Sequence, residues 1–333
     1  MDFSVVIPAY NGQGTIAETI QTILTQSHPA REVIVVDDGS TDGTRDVLAG
    51  FGAQIVFLTQ ANAGVQAARN LAASRSTADW IAFCDQDDLW QPTYLAAQSA
   101  LLTAAPEVGF SFSNFRVLRN DVLDSRTKFD DAPPGWWDSL NPRKLPQGMV
   151  FPNSIASATY RFHPVFPSAM AVSKTLLASI GGFDTAMRGL RNEDGELVLR
   201  CLYRGTAGAL TDPHVTIRRH AGNFSRDIIA RLLDEIVTMN FIKENHVDAR
   251  PYHGIIDDEI RLKYIDLVNL TFAARDHARL REMFRHVSWD DRDVKMWVKR
   301  AVAALPDPIG LKLNTALQKH IGGKVADESV LTR

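Results

Sequence analysis

Cysteine is scarce in this chain: 333 residues carry only Cys84 and Cys201, each inside an apolar run and without CxxC spacing. Such usage excludes a disulfide framework and a thiolate zinc site and suits a reducing compartment, so a cytoplasmic protein is expected. A surplus of charge is missing too, since 36 Lys and Arg stand against 39 Asp and Glu for a net charge of −3. Without a basic footprint, nucleic acid is not an expected partner. No apolar stretch reaches the roughly 18 residues that cross a bilayer, and residues 1–8 lack the basic-then-apolar order of a secretory leader. A chain neither exported by a signal peptide nor spanning a membrane is therefore expected. Repeats and low-complexity tracts are absent as well. What is present is 45% hydrophobic and 23% charged residues, enough to bury a sizeable core in one large domain or two joined ones.

The first third alternates short apolar runs with helix-like segments, the pattern of βα units that build a mostly parallel sheet. Residues 4–7, 33–36, 55–58 and 80–84 are apolar and rich in β-branched side chains, whereas 15–25, 44–48, 65–73 and 93–103 suit helices. Each apolar run ends in polar or turn-forming residues. Ligands of open α/β sheets bind beyond the carboxyl ends of the strands, so a site is expected on that edge. Past Phe110 the pattern turns irregular. Residues 130–148, with Pro133, Pro134, Gly135, Pro142 and Pro146, predict a long loop, either covering a site or forming a plain surface excursion. Trp136 and Trp137 within it receive no role. From residue 226 to about 322, apolar residues recur at helical spacing between breaks at Pro251, Pro306 and Pro308, which predicts a helical C-terminal region.

Three acidic clusters fall where the chemistry is expected. Asp37-Asp38-Gly39-Ser40-Thr41-Asp42-Gly43-Thr44 sets carboxylates at a strand end, followed by glycines that permit a tight turn. Asp38 suits hydrogen bonds from a nucleobase imide or a ribose, while Asp42 reads better as an Asx turn or a helix cap, a position Thr41 also suits. Asp85-Gln86-Asp87-Asp88 crowds carboxylates at the end of an apolar strand, where they repel unless protonated or bound to a cation. Oxygen ligands of this kind suit Mg²⁺ or Mn²⁺ with a pyrophosphate as co-ligand, the alternative being a solvated acidic turn before the next helix. Gly181-Gly182-Phe183-Asp184 precedes Glu193-Asp194 at the start of an apolar helix-like run; these acids read as caps or, opposite a departing diphosphate, as a general base. Finally, Arg218-Arg219-His220 offers cationic and imidazole groups for phosphate or a metal bond, although a lone histidine is more often structural.

Taken together, Ser4-Val5-Val6-Ile7-Pro8-Ala9-Tyr10-Asn11-Gly12, the 37–44 segment, Asn62-Ala63-Gly64 with Ala68-Arg69-Asn70, and the 85–90 segment resemble family 2 glycosyltransferases. Their order and spacing, joined by the 181–184 and 193–194 segments, extend the resemblance over about the first 225 residues. It implies an α/β fold of GT-A type over residues 1–225, a Rossmann-like nucleotide-binding sheet merged with an acceptor-binding part, followed by the helical region 226–333. The implied reaction moves one sugar from a nucleoside-diphosphate sugar, with uridine diphosphate as the family-weighted carrier, to a hydroxyl of a glycan or lipid-linked glycan, inverting the anomeric centre. Pro8, Tyr10, Asn11, Asp38, Asn62 and Arg69 would surround the nucleotide. Asp85 and Asp87 match the DxD pair, with Asp87 as direct metal ligand and Asp85 nearer the ribose or the metal's waters. Asp88 and His220 are further metal candidates, and Asp194, with Glu193 beside it, falls on the catalytic base. Departures from the family pattern are Cys84, Gln86 and Gly195. The Gln-x-x-Arg-Trp motif of processive synthases is missing, which favours a single addition.

Rival readings are weaker. Gly12-Gln13-Gly14-Thr15-Ile16-Ala17 matches the GxGxxA fingerprint of an NAD-dependent oxidoreductase, but the turn is too long and the 85–88 acids would have no purpose there. A catalytically silent nucleotide-sugar-binding module would not need every expected carboxylate, and a nucleotidyltransferase lacks its Gly-rich basic loop here. In the C-terminal region, residues 294–319 mix Trp297, Val298, Leu305, Ile309 and Leu311 with Lys295, Lys299, Arg300, Lys312 and Lys319. An amphipathic helix pair packed on the catalytic domain is the preferred reading, because such stripes are commonly core; peripheral contact with the inner membrane face is the alternative.

Overall fold

The computed structural model describes residues 1–190, 192–219 and 228–321. Contacts divide the chain into two compact units, Met1–Asn223 and Phe224–Arg333. The first unit begins with β1 (Phe3–Ala9), α1 (Ile16–Leu24), β2 (Glu32–Asp37), α2 (Thr44–Ala49), β3 (Val56–Thr59), α3 (Val65–Arg75) and β4 (Trp80–Phe83). β1 is buried at every position, as its apolar run, broken only by Ser4, requires of a central strand covered on both faces. It pairs in parallel with β2 and β4, and β2 pairs in parallel with β3. α1 docks with Ile16, Thr19, Ile20 and Ile23, the i, i+3, i+4, i+7 face of a 3.6-residue repeat.

The register places the carboxyl ends of these strands on one edge. Ala9, Asp37 and Thr59 lie level, while β4 stops at Phe83, paired with Val6 and three residues short of Ala9. The acidic turn thus starts in a recess beside the end of β1.

The rest of the unit adds β5 (Leu89–Trp90), α4 (Tyr94–Ala104), β6 (Val108–Arg119), β7 (Val122–Thr127), α5 (Trp136–Ser139), β8 (Arg143–Leu145), β9 (Gly148–Phe151), α6 (Ala156–Thr159), β10 (Met170–Ser173), α7 (Lys174–Ser179), α8 (Glu193–Arg204) and β11 (Thr206–Arg219). The strand order is β3-β2-β1-β4-β10-β6-β11-β9-β8, with β5 on β11 and β7 on β6. β10 runs antiparallel to both neighbours, so the parallel pattern expected from the first third gives way to a mixed sheet in the second half.

Residues 130–148 are not one long loop. A 3₁₀ turn at Lys128–Asp131, closed by a Thr127–Asp130 capping box, leads to α5, and β8 follows. Gly135, at φ 74°, turns the chain into α5. Trp136 is buried against Phe162 and Trp137, and Trp137 also meets Phe129. The prolines punctuate short elements that the aromatic side chains hold down.

The second unit is helical: α9 (Ile228–Asn245), α10 (His253–Ala273), α11 (His277–His286), α12 (Val294–Val302) and α13 (Asp307–Ile321). Its core joins Leu267, Phe272, Leu280, Phe284, Met296 and Val302. Asp276 and Asp293 cap α11 and α12 by accepting from Arg279 N and Met296 N. Among the described residues, no helix is long and apolar enough to cross a membrane. Of the residues named in 294–319, Trp297, Val298, Leu305, Ile309 and Leu311 are exposed, whereas Lys299 is buried. Lys299 donates to Asn269 and lies over the Phe272 ring, which lets the cation enter while the apolar side chains stay outside.

Gly148 opposes Leu210 in the β9–β11 pair, and a Cβ there would overlap the Ala209 carbonyl oxygen. Gly148→Ala is expected to destabilise the first unit by about 1–3 kcal/mol, read as a lower urea midpoint with an unchanged slope.

Candidate functional site

The loops on the carboxyl edge are stitched to one another by side chains. Asn11 adopts φ 50° after β1; its Oδ1 accepts from Thr41 N at 2.8 Å and its N donates to Ser40 Oγ at 2.9 Å. Asn is among the few residues that tolerate this left-handed conformation. Asp42 forms the expected Asx turn, accepting from Thr44 N at 3.0 Å, but Gly43 rather than Thr41 or Asp42 occupies the helix cap. Pro8 is buried in β1, and Tyr10 beyond it is 46% exposed. The Tyr10 backbone makes a pair of bonds with the Gln86 amide, its N donating at 2.9 Å and its O accepting at 3.0 Å. A Cβ on Gly12 would overlap that same amide, so this glycine of the apparent dinucleotide fingerprint serves loop packing.

Asp38 is buried and holds the loop before α3. Its Oδ1 accepts from Gln60 Nε2 at 2.7 Å and Ala63 N at 2.8 Å, and its Oδ2 from Gly64 N at 2.8 Å. Asn62 in this loop accepts through Oδ1 from Arg188 Nη2 at 2.9 Å. Gly64, at φ 97°, opens α3. Arg69 follows five residues later, a rise of about 7.5 Å along the helix.

The acidic turn is fixed from several directions. Asp85 N donates to Ser168 Oγ at 2.9 Å, and the same hydroxyl donates to Asp88 Oδ2. Arg218 N donates to Asp88 Oδ1 at 2.9 Å. Asp88 is fully buried, and burial, with Asp87 and Asp85 as neighbouring negative charges, pushes its carboxyl well above the usual range. Burial and the same carboxylates push the Cys84 thiol up as well, which makes a poor nucleophile of it. Asp87 is half-buried in the turn between Asp85 and Asp88.

Arg69 ties this turn to α8. Its Nη2 bonds Asp85 Oδ1 at 2.6 Å and its Nη1 bonds Glu193 Oε1 at 3.1 Å, with the guanidinium carbon 5.0 Å from the centre of the Phe183 ring. The Arg69 side chain is 2% exposed. Burial alone would depress its guanidinium, but the Asp85 and Glu193 carboxylates outweigh that effect and hold it charged. Asn70 donates to Phe183 O and accepts from Phe183 N, both at 2.8 Å. Gly182, at φ 73°, permits this docking, since a Cβ there would lie 2.6 Å from Asn70 Oδ1.

Glu193 and Asp194 occupy the first turn of α8. Burial and the adjoining Asp194 push Glu193 up to about 7 against the pull of Arg69. Asp194 is raised by burial, an effect that Arg69 opposes and Asp85 reinforces.

The structure therefore brings Arg69, Asp85, Glu193 and Asp194 together and sets Asp87 in the same turn as Asp85. Asp38 and Asn62 sit at the start of the helix that carries Arg69, engaged with protein partners of their own. His220 lies outside the described residues. Sequence reasoning missed Ser168 and Arg188, which arrive from distant segments without any motif. Gln86 was visible only as a departure, and its amide proves to join the acidic turn to β1.

Because the folded-state value of Glu193 lies near 7 against 4.5 for the free side chain, folding tightens its proton. Stability from this group is complete below 4.5 and is lost as pH rises towards 7. Glu193→Gln is expected to flatten that decline, measured as urea midpoints across this pH window.

Comparison with known proteins follows from this geometry. Residues 4–162 match the family model described as glycosyl transferase family 2. TuaG of Bacillus subtilis (strain 168), named as a teichuronic acid biosynthesis glycosyltransferase, is 38% identical over 137 residues, 39% of this chain and 52% of TuaG. WfgD of Escherichia coli, named UDP-Glc:alpha-D-GlcNAc-diphosphoundecaprenol beta-1,3-glucosyltransferase, is 33% identical over 122 residues, 36% of this chain and 48% of WfgD. The matched region thus spans about half the length of these relatives. Among solved structures, Staphylococcus aureus TarS 1–349 in complex with UDP-GlcNAc is similar with a TM-score of 0.58 at 16% identity, covering 91% of this chain and 79% of that one. Likeness at that identity bears on the fold, a mixed α/β sheet with a Rossmann-like core and a helical C-terminal region. Residues 4–162 are thus similar in sequence to glycosyl transferase family 2, and the fold is of the GT-A type that the motifs imply.

Proposed function

We propose that this protein is an inverting, non-processive glycosyltransferase that moves one sugar from a UDP-sugar to a hydroxyl of a glycan or lipid-linked glycan. The observation that carries the reading is the shared guanidinium of Arg69, which holds the Asp85 turn and the Glu193-Asp194 helix start against each other. The acidic turn and the start of α8 are thereby held side by side, which supports a donor and a base meeting there. The names of the relatives support the acceptor class: WfgD is named for a diphosphoundecaprenol-linked acceptor. The TarS structure holding UDP-GlcNAc supports the donor class.

The acidic turn fits a divalent cation, Mn²⁺ or Mg²⁺. Its donors are all carboxylate oxygens, and Asp87 and Asp85 add their charge to the burial that already pushes Asp88 up. By its place in the DxD pattern Asp87 is assigned as the principal ligand of the turn, with Asp88, held by Ser168 and the Arg218 backbone, as support from behind. When bound, the cation would supply charge neutralisation for the leaving diphosphate. Pro8, Tyr10, Asn11, Asp38 and Asn62 shape the nucleotide end; Asp38 acts there mainly by pinning the Ala63-Gly64 backbone.

Asp194 is assigned as general base. As the acceptor oxygen bonds to the anomeric carbon, the bond from that carbon to the diphosphate oxygen breaks with its electron pair. The hydroxyl proton passes to a carboxylate oxygen of Asp194. Its raised affinity for protons suits this task, because a base held by burial receives a proton more readily than a fully solvated carboxylate. Glu193 keeps its oxygen on Arg69 and positions the helix start.

Asp194→Asn should lower turnover by about 10²-fold or more while nucleoside-diphosphate affinity by calorimetry stays within a small factor. Wild-type turnover in that variant would refute the assignment. Asp87→Ala, or chelation of the wild type, should weaken UDP binding; equal affinity with and without Mn²⁺ would count against the metal reading.

A further inference from the structure

The second unit exposes a coherent apolar face. On α12, Val294 is 78% exposed, Trp297 41% and Val298 36%, with Ala301 exposed next, the i, i+3, i+4, i+7 stripe of a helix. The opposite face buries Met296, Lys299 and Val302. Trp289, 72% exposed, packs edge-on against Trp297 with ring centres 5.5 Å apart. On α13, Ile309 and Leu313, one turn apart, are exposed, and Leu305 is exposed between the helices. The α12 stripe, joined by Trp289, is an aligned exposed apolar face of the kind that marks an interaction surface.

Charge identifies the occupant. Residues 289–321 hold six Lys and Arg against four Asp, a surplus of two positive charges in a chain whose net charge is −3. Lys295 and Lys312 are exposed along the stripe, and the Arg292 guanidinium lies within 5.7 Å of the Phe284, Trp289 and Trp297 ring centres. Tryptophan beside lysine and arginine is the composition of a headgroup-level contact, apolar bodies inward and cationic ends toward lipid phosphate. Neither helix is long and apolar enough to span, which leaves an orientation parallel to the bilayer plane.

We propose that the exposed face of α12 and α13 docks in the plane of an anionic lipid bilayer, with Trp289 and Trp297 at headgroup level. The inference stands on this surface alone and does not depend on the glycosyltransferase reading. The test is sedimentation of the full chain with vesicles of phosphatidylcholine, with and without phosphatidylglycerol. Binding to the phosphatidylglycerol vesicles is expected, weakened about tenfold or more by Trp289→Ser with Ile309→Ser, and by Lys295→Glu with Lys312→Glu. Because all four side chains are exposed, circular dichroism and UDP affinity should match the wild type. No sedimentation with either vesicle, or sedimentation indifferent to both double variants, would overturn the proposal. So would a concentration-dependent dimer abolished by Trp289→Ser with Ile309→Ser in a protein that ignores vesicles, since that assigns the face to a second copy.

Discussion

The site depends on one buried cation. Arg69 has almost no contact with solvent, and two carboxylates from stretches 16 and 124 residues away keep it charged. Removing a single partner from such a group typically costs about 3–5 kcal/mol, because the remaining charge is stranded in a medium that solvates it poorly. The guanidinium is therefore both a structural clamp and an electrostatic reference for every acid around it. It pulls Glu193 and Asp194 down while burial and neighbouring carboxylates push them up, and the balance leaves both above ordinary carboxyl behaviour. Planar, forked geometry suits arginine to this double task, which the single point charge of lysine would perform poorly.

Around the clamp, the parallel half of the sheet supplies position and the mixed half supplies support. Parallel pairing of β1, β2 and β3 delivers three loops to one edge, and the early end of β4 sets the acidic turn back from them. Support then comes from segments far along the chain: Ser168 beneath Asp85 and Asp88, Arg218 behind Asp88, Phe183 under Arg69. The hydroxyl of Ser168 is small, fully buried and shared by a backbone donor and a carboxylate, so a larger or apolar side chain could not replace it without unpairing one of them.

Much of this was legible in the sequence, for physical reasons. Central strands such as β1 are apolar but for Ser4, and α1 repeats at helical spacing, so local pattern located the first four βα units to within a few residues. The acids at 38 and 85–88 were legible because strand ends concentrate chemistry, and those at 193–194 because they open an apolar helix-like run. Pairing was not: that Arg69 meets Glu193, or that Asp38 spends its oxygens on the Ala63-Gly64 backbone, depends on tertiary approach, which spacing does not encode. Residues 130–148 misled because proline and glycine signal breaks without saying what lies between them, and the buried Trp136 settles that segment. The outward face of α12 was illegible for another reason: periodicity reports that a helix has two faces, not which one a neighbouring element covers.

The place of β10 in the sheet has a consequence for how the molecule comes into being. This strand, Met170–Ser173, inserts between β4 and β6, although both are synthesised long before it. Until the ribosome has released about 170 residues, β4 has a raw edge of unpaired amides and carbonyls beside the acidic turn, and β6 must wait to join it. The nascent chain can assemble its nucleotide-facing half early, but it cannot seal it, so the ordering of the carboxylate pocket and the loss of that adhesive edge belong to the same late event.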